Sequence, residues 1–434
     1  MKLNRKAMVL AVGAAIAAPG AYAQVTSKAG SDWEFYGKFY PELARINGDS
    51  PTAAAGTTIS TLTSITNGGR SNLVNRSEML VSNSYLGFRG SKSIGSGMKA
   101  IWQLEQTVPI DEGGSATADT GTLATRNSFL GIQAGWGTVR LGFMDTPFKE
   151  AGDVVGFLGV SSGNFVQTNP VLRQVGFGQG NGGPARAARF HERRGNAIDY
   201  ASPSYFGGLQ YAVQYSVGNP SETSNTSGGG AGTGARPLDP RFISMALKWE
   251  SGPLYLAVMH ETHFDMFGGS SNVPAAQSNA ADPAVNSKDM AVQVTAMFKI
   301  AGHTLEADYI KKSYKENPGN SATPTAGRFE SYKNNAFMVA WEARWSGTWR
   351  TAVTYVSANA GTCGSFNAAC STTGLEGKQF SIGGSFYIDP STYLFLIGSK
   401  IDNGDSARYD NVANGAPATG EDVTQYAFGL AHTF

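Results

Sequence analysis

The chain has 434 residues, 34 Lys and Arg against 33 Asp and Glu, a formal charge of +1, 41% hydrophobic and 15% charged residues, 55 glycines and two cysteines. No apolar run reaches transmembrane-helix length, which excludes a helical membrane protein, and no basic surface points to nucleic acid. Low charge without long apolar runs suits strands with one greasy face and one wet face, whose hydropathy averages out along their length.

Residues 1–23 read as a secretory signal, with Lys2, Arg5 and Lys6 as the charged start, Ala7 to Ala18 as the apolar stretch and Ala21-Tyr22-Ala23 as the cleavage site. Removing those three cations takes the formal charge to about −2. No linker divides residues 24–434, which read as one domain built from a recurring unit of strand, short turn, strand and long polar loop. The first strand is Asp32 to Tyr40, with Trp33, Phe35 and Phe39 on one side and Glu34, Tyr36, Lys38 and Tyr40 on the other. A Ser/Thr/Gly/Asn stretch over about 46–75 is a long loop. Ser84 to Gly90 and Met98 to Glu105 form a hairpin, as do Arg126 to Gln133 and Thr138 to Phe143.

The longest stretch between strands runs over about 146–190, and loops of that length usually carry function. The rhythm resumes with Arg193 to Pro203 and Leu209 to Val217, and further hairpins turn at Glu250–Pro253, Ile300–His303, Trp345–Thr348 and Ile388–Ser391. Seven tight turns and eight long loops require about 16 strands with both chain ends on the tight-turn side. Trp249, Tyr255, Phe298, Trp345, Trp349, Tyr387 and Tyr393 gather beside the tight turns, as an interfacial aromatic girdle would.

Counting back in twos from Phe434 gives His432, Leu430, Phe428 and Tyr426, while the alternate set is Thr433, Ala431, Gly429, Ala427 and Gln425. An apolar outer face without a core to meet is suited to lipid, where every backbone group must be paired and the sheet must close on itself. No dry interior is expected. Two residues break the lipid-facing rows: His432, close to the chain end, and His260, in register with Leu254, Leu256 and Val258. His260 sits either near the outer interface or on a strand whose bulge re-aims it. Cys363 and Cys370, in an exported chain, read as a local disulfide in a surface loop. A metal site is not expected. The five histidines fall in no catalytic frame, and His260 and His263 would point to opposite faces of a strand.

The ending Gly429-Leu-Ala-His-Thr-Phe434, together with Phe35-Tyr-Gly-Lys38, Leu86-Gly-Phe-Arg-Gly90, Gly137-Thr-Val-Arg-Leu-Gly142 and Asn196-Ala-Ile-Asp-Tyr-Ala-Ser-Pro203 followed by Phe206-Gly-Gly208, resembles the general porins of Gram-negative outer membranes, closest to the β-proteobacterial type. The resemblance implies an all-β, 16-stranded antiparallel transmembrane β-barrel with short periplasmic turns, long extracellular loops and an inward-folded third loop. It implies a homotrimer among outer-membrane lipid and lipopolysaccharide, passing small hydrophilic solutes and ions by passive diffusion, with no cofactor and no catalysis. A substrate-selective channel and a barrel enzyme are the alternatives.

In that family basic wall residues face acidic residues of the inward loop across the constriction. Parity sends Lys38, Arg126, Arg140 and Arg193 inward, and Lys38, Arg126 and Arg193 match the family's basic cluster, whereas Tyr85 stands where many relatives carry another Arg. Glu150 and Asp153 are the loop's only acidic residues before Glu192 and are the candidates to oppose them. The family's Pro-Glu-Phe-Gly-Gly loop motif is missing, with Asp153-Val-Val-Gly-Phe-Leu-Gly159 near its place, while Arg173, Arg186 and Arg189 add positive charge.

Overall fold

A computed structural model describes residues 24–26, 32–53, 62, 69–73, 75–81, 84–110, 123–152, 168–177, 190–217, 240–265, 286–317, 325–411 and 417–434. In chain order the strands are β1 (Gln24–Thr26), β2 (Asp32–Phe39), β3 (Glu42–Asp49), β4 (Arg76–Leu80), β5 (Tyr85–Gly95), β6 (Met98–Thr107), β7 (Ser128–Ala134) and β8 (Gly137–Asp145). The helical turns α1 (Pro147–Gly152) and α2 (Pro170–Arg173) come next, followed by β9 (Arg193–Ala201), β10 (Leu209–Val217), β11 (Arg241–Ser251), β12 (Leu254–Phe264) and β13 (Asn286–Ile300). The chain finishes with β14 (His303–Asn317), β15 (Phe329–Trp345), β16 (Trp349–Ala358), β17 (Thr362–Ser365), β18 (Gly377–Asp389), β19 (Thr392–Asn403) and β20 (Asp422–Thr433).

These pieces make a closed antiparallel barrel of 16 staves. β3 prolongs β2, β5 prolongs β4 and β17 prolongs β16, because in each case the two pieces share a neighbouring stave. The first stave therefore runs on to Asp49, further than its sequence suggested, and the loop after it is shorter. Pro41 interrupts it, since proline has no N–H for the ladder; the Tyr40 N–H is taken by Ser84 Oγ at 2.8 Å, and the Pro41 carbonyl accepts from Leu430 N at 3.1 Å. Closure is made by β20, which pairs with β3 from Asp422↔Asp49 to Gly429↔Glu42 and with β2 at His432↔Phe39 and Thr433↔Lys38. Phe434 and Gly37 exchange backbone hydrogen bonds of 3.0 and 3.1 Å, and a Cβ on Gly37 would lie 2.7 Å from the Phe434 ring. β1 continues that line, pairing Gln24 with Glu34, so the last stave is built from both ends of the sheet.

The two faces part as the alternation demands. Tyr426, Phe428 and Leu430 are exposed on the outside, while Gln425, Ala427 and Ala431 are buried within. Outer residues line up around the wall, Val258 opposite Val294, Val294 opposite Tyr309 and Tyr309 opposite Phe337. Phe298, Trp345 and Trp349 stand outward beside the tight turns as expected. Tyr255, Tyr387 and Tyr393 do not: they stand at odd spacings from outward Leu256, Ile382 and Leu396 and turn inside, where Tyr255 and Tyr393 are buried and Tyr387 stacks on Tyr393 at 4.9 Å. His260 is half-buried on an unbroken ladder with β11 and β13, so no bulge re-aims it; it lies toward the long-loop end of β12, its Nε2 2.8 Å from Thr262 Oγ1. His263 faces inward, stacked between Phe190 and Phe242 at 4.7 and 4.6 Å. Cys363 and Cys370 are bonded, their Cα atoms 5.8 Å apart. The interior is not wholly wet: Phe148, Phe177 and Phe190 of the third long loop are buried against Met259, Tyr314, Phe329 and Tyr332 of the inner wall.

Candidate functional site: the third loop and the charged lumen wall

The third long loop leaves the wall after Asp145 and turns inward. Pro147 starts α1 where its missing N–H costs nothing. The helix is then held to the inner wall by three polar contacts, Phe148 N–H to Ser244 Oγ (3.0 Å), Tyr255 Oη to the Ala151 carbonyl (2.8 Å) and Gln293 Nε2 to the Gly152 carbonyl (3.1 Å). Phe148 packs against Phe190 and His191 at 5.9 and 5.1 Å where the loop returns. Further on, α2 lies inside the barrel against β15, β16 and β18. The inward third loop expected from its length and place is thus present.

All four basic residues singled out by parity lie on the inner wall. Arg126 Nε donates to Glu105 Oε1 at 2.5 Å, and Glu105 also accepts from Tyr36 Oη at 3.1 Å. Arg140, on β8, faces its register partner Asp199 on β9, with Nη2 to Oδ1 at 2.6 Å. Arg193 donates to Asn127 Oδ1 (2.7 Å) and lies 3.1 Å from Asp145, which also holds Lys149 at 2.8 Å. Lys38 differs. Its Nζ rests over the Tyr40 and Tyr393 rings at 4.4 and 5.8 Å, and among the described residues no carboxylate lies within ion-pair distance of it. Arg126 and Arg350 are near enough to repel it.

The acids come mostly from neighbouring strands. Of the two loop acids, Glu150 approaches Arg140 to 3.7 Å, and Asp153 lies outside the described residues. The Glu150 side chain keeps 45% of its exposure to the lumen, yet the protein crowded around it withholds enough water to shift its carboxyl upward against the pull of the Arg140 guanidinium, and the Asp199 carboxylate adds to the rise. Glu105, Asp145 and Asp199 neutralise three wall arginines in place, a pattern that the expected separation of basic wall from acidic loop did not include. Two cations escaped the sequence reading: Lys149, four residues after Asp145 on the first turn of the loop, and Arg350, which lies 2.5 Å from Glu342 and donates to Tyr387 Oη at 3.4 Å. Parity could have found Asp199, which is in phase with Arg193 in the same strand. On β12 to β15 Glu261, Asp289, Glu306, Asp308 and Glu342 are buried facing inward.

The family profile described as Gram-negative porin matches residues 9–406. The major outer membrane protein P.IB of Neisseria gonorrhoeae is 34% identical over 164 residues, 38% of this chain and 40% of that protein. Its counterpart in Neisseria meningitidis serogroup A is 31% identical over 134 residues, 31% of this chain and 33% of that protein. The alignment therefore spans about two fifths or less of the curated relatives' length. Among solved structures the anion-selective porin from Comamonas acidovorans superposes with a TM-score of 0.65 at 18% identity, covering 93% of this chain and 100% of that one. Salmonella typhi OmpF in complex with daunomycin gives 0.55 at 14% identity, covering 95% and 100%. With a barrel closed for lipid, a third loop folded into it and a profile match along most of its length, the chain belongs to the Gram-negative porin family of the outer membrane.

Proposed function

We propose that the chain forms a water-filled channel through which small hydrophilic solutes and ions diffuse down their gradients. The observation that carries this reading is the division of the closed wall, with apolar rows outside and Lys38, Arg126, Arg140, Arg193 and their carboxylate partners inside. Lipid on one face and water on the other is the only pair of solvents that suits both. The constriction lies where the third loop approaches Arg140, and Glu150 and Asp153 are its acidic side. Because paired charges largely cancel at a distance, the selectivity of this passage is a weak preference for anions centred on Lys38. The likeness to a barrel described as anion-selective is consistent with that sign.

Residues 1–23 are the export signal in this reading and are absent from the working channel, which is a homotrimer with each monomer its own pore. Purified protein in a planar bilayer gives discrete ohmic conductance steps, and its reversal potential in a salt gradient has the sign of a mild anion preference. Silence where a known porin conducts rejects the channel; a clear cation preference rejects the assignment to Lys38. Native mass spectrometry of the detergent-solubilised protein reads the trimer directly.

A further inference from the structure

We infer that Lys312 positions the second arm of the third loop, together with the eighth long loop, so that the aperture of the channel answers to a surface loop. This rests on the channel reading above. Lys312 points inward from β14 and is completely buried. Its Nζ donates to the Leu172 carbonyl at 2.7 Å and to the Gln174 carbonyl, at the end of α2 where a helix leaves its carbonyls unbonded. Among the described residues no carboxylate lies within ion-pair distance. Holding a lysine amine out of water against two carbonyls alone costs stability that a methionine would not. A lysine kept there is explained by what it grips.

The other side of the arm is gripped as well. Gln174 clasps Asp410 in the eighth loop in both directions, its Nε2 donating to the Asp410 carbonyl and its Oε1 accepting from the Asp410 N–H, each at 3.1 Å. The Arg408 N–H donates to the Gly176 carbonyl at 2.7 Å. Gly176 also passes so close to the seventh loop that a Cβ would lie 2.3 Å from the Leu375 carbonyl oxygen. Phe177 stands edge-on to Tyr332 at 4.9 Å, closing the box from the wall side. The eighth loop is in turn tied to the first: Glu421 accepts from Ser71 Oγ and from the backbone N–H groups of Asn72 (3.0 Å), Leu73 (3.2 Å) and Ala418 (2.6 Å). A contiguous set of bonds thus leads from the outer loops to the arm in the lumen, and Lys312 anchors its inner end.

The test uses the full chain refolded in detergent, with folding scored by heat-modifiable electrophoresis. Hydrogen exchange of the 168–177 peptide is compared with single-channel conductance for the wild type, Lys312→Met, Gln174→Leu and Lys311→Met, whose lysine points out of the barrel. Lys312→Met and Gln174→Leu each speed exchange in that peptide by about tenfold or more and alter the unit conductance or its open-channel noise, while Lys311→Met changes neither. Folded Lys312→Met with wild-type exchange overturns the anchoring role, whether or not the protein conducts. Faster exchange with wild-type conductance and noise overturns the link to the aperture. Should Lys312→Met not fold, Gln174→Leu, which leaves the lysine in place, decides by the same two readings. A wild type that gives no conductance steps rejects the channel reading and the aperture link with it, while the exchange data still decide the anchor.

Discussion

A single arginine placed on the outer wall tests the lipid argument most directly. Val294 is 46% exposed on β13, six residues from Ile300 at the tight turn, and is flanked by Val258 and Tyr309. With a rise of about 3.4 Å per residue and a tilt near 40°, it lies about 15 Å above the turn, close to the middle of an apolar band about 25 Å tall. Arginine at that depth costs about 3 kcal/mol, a loss of roughly 150-fold in the folding equilibrium. Ile300, equally outward but at the turn, sits at headgroup level, where the same replacement costs about 0–1 kcal/mol. Denaturant titration in phospholipid vesicles, followed by tryptophan fluorescence and heat-modifiable electrophoresis, measures both. Equal costs for Val294→Arg and Ile300→Arg, or none for Val294→Arg, refute the placement of this wall in hydrocarbon.

Lys38→Met moves the reversal potential toward cations, whereas the double change Glu105→Gln with Arg126→Gln, which removes a neutral pair, leaves it nearly where it was; the reverse order of effects contradicts the assignment. The raised Glu150 carboxyl takes up its proton at a higher pH than an ordinary glutamate, and protonation removes a negative charge beside Arg140. Anion preference therefore rises as pH falls through the range in which Glu150 takes up its proton, which begins above that of an ordinary glutamate, and Glu150→Gln removes that component of the pH dependence in the same bilayer assay. Phe434→Ala loses ring contacts with Phe35, Phe39 and His432 at 5.8, 5.2 and 6.2 Å. It lowers stability by about 1–3 kcal/mol in vesicle titrations.

Parity carried most of what was legible. The row from Tyr426 to Leu430 needs no neighbour to show which side it takes, and the inward readings for Lys38, Arg140 and Arg193 follow from the same count. Arg126 turns inward for another reason: Phe129, against which it is counted, itself faces inward under Arg140, and Arg126 lies in the irregular stretch before β7 begins, where strand parity does not apply. The place of the third loop followed from its length. Pairings across strands did not follow, because Arg140 meets Asp199 through the register of two staves separated by the whole third loop. Tyr255, Tyr387 and Tyr393 were misplaced by reading aromatic content near turns without counting the phase. The apolar patch under the third loop had no periodicity to announce it, since Phe148 sits in a short helical turn and Phe177 and Phe190 in irregular backbone, and all three acquire partners only when the loop meets the wall. The prolongation of the first stave past Pro41 was hidden by the proline, which breaks the ladder without ending the strand.

The seam between β2 and β20 has a consequence for biogenesis. A growing or partly exported chain has two unsatisfied sheet margins and greasy rows facing water, and it can relieve neither by itself until its most distant segments meet. Between the inner membrane and its destination such a polypeptide needs an escort that shields it from its neighbours, and insertion becomes a final sealing event in which membrane entry and ring completion coincide.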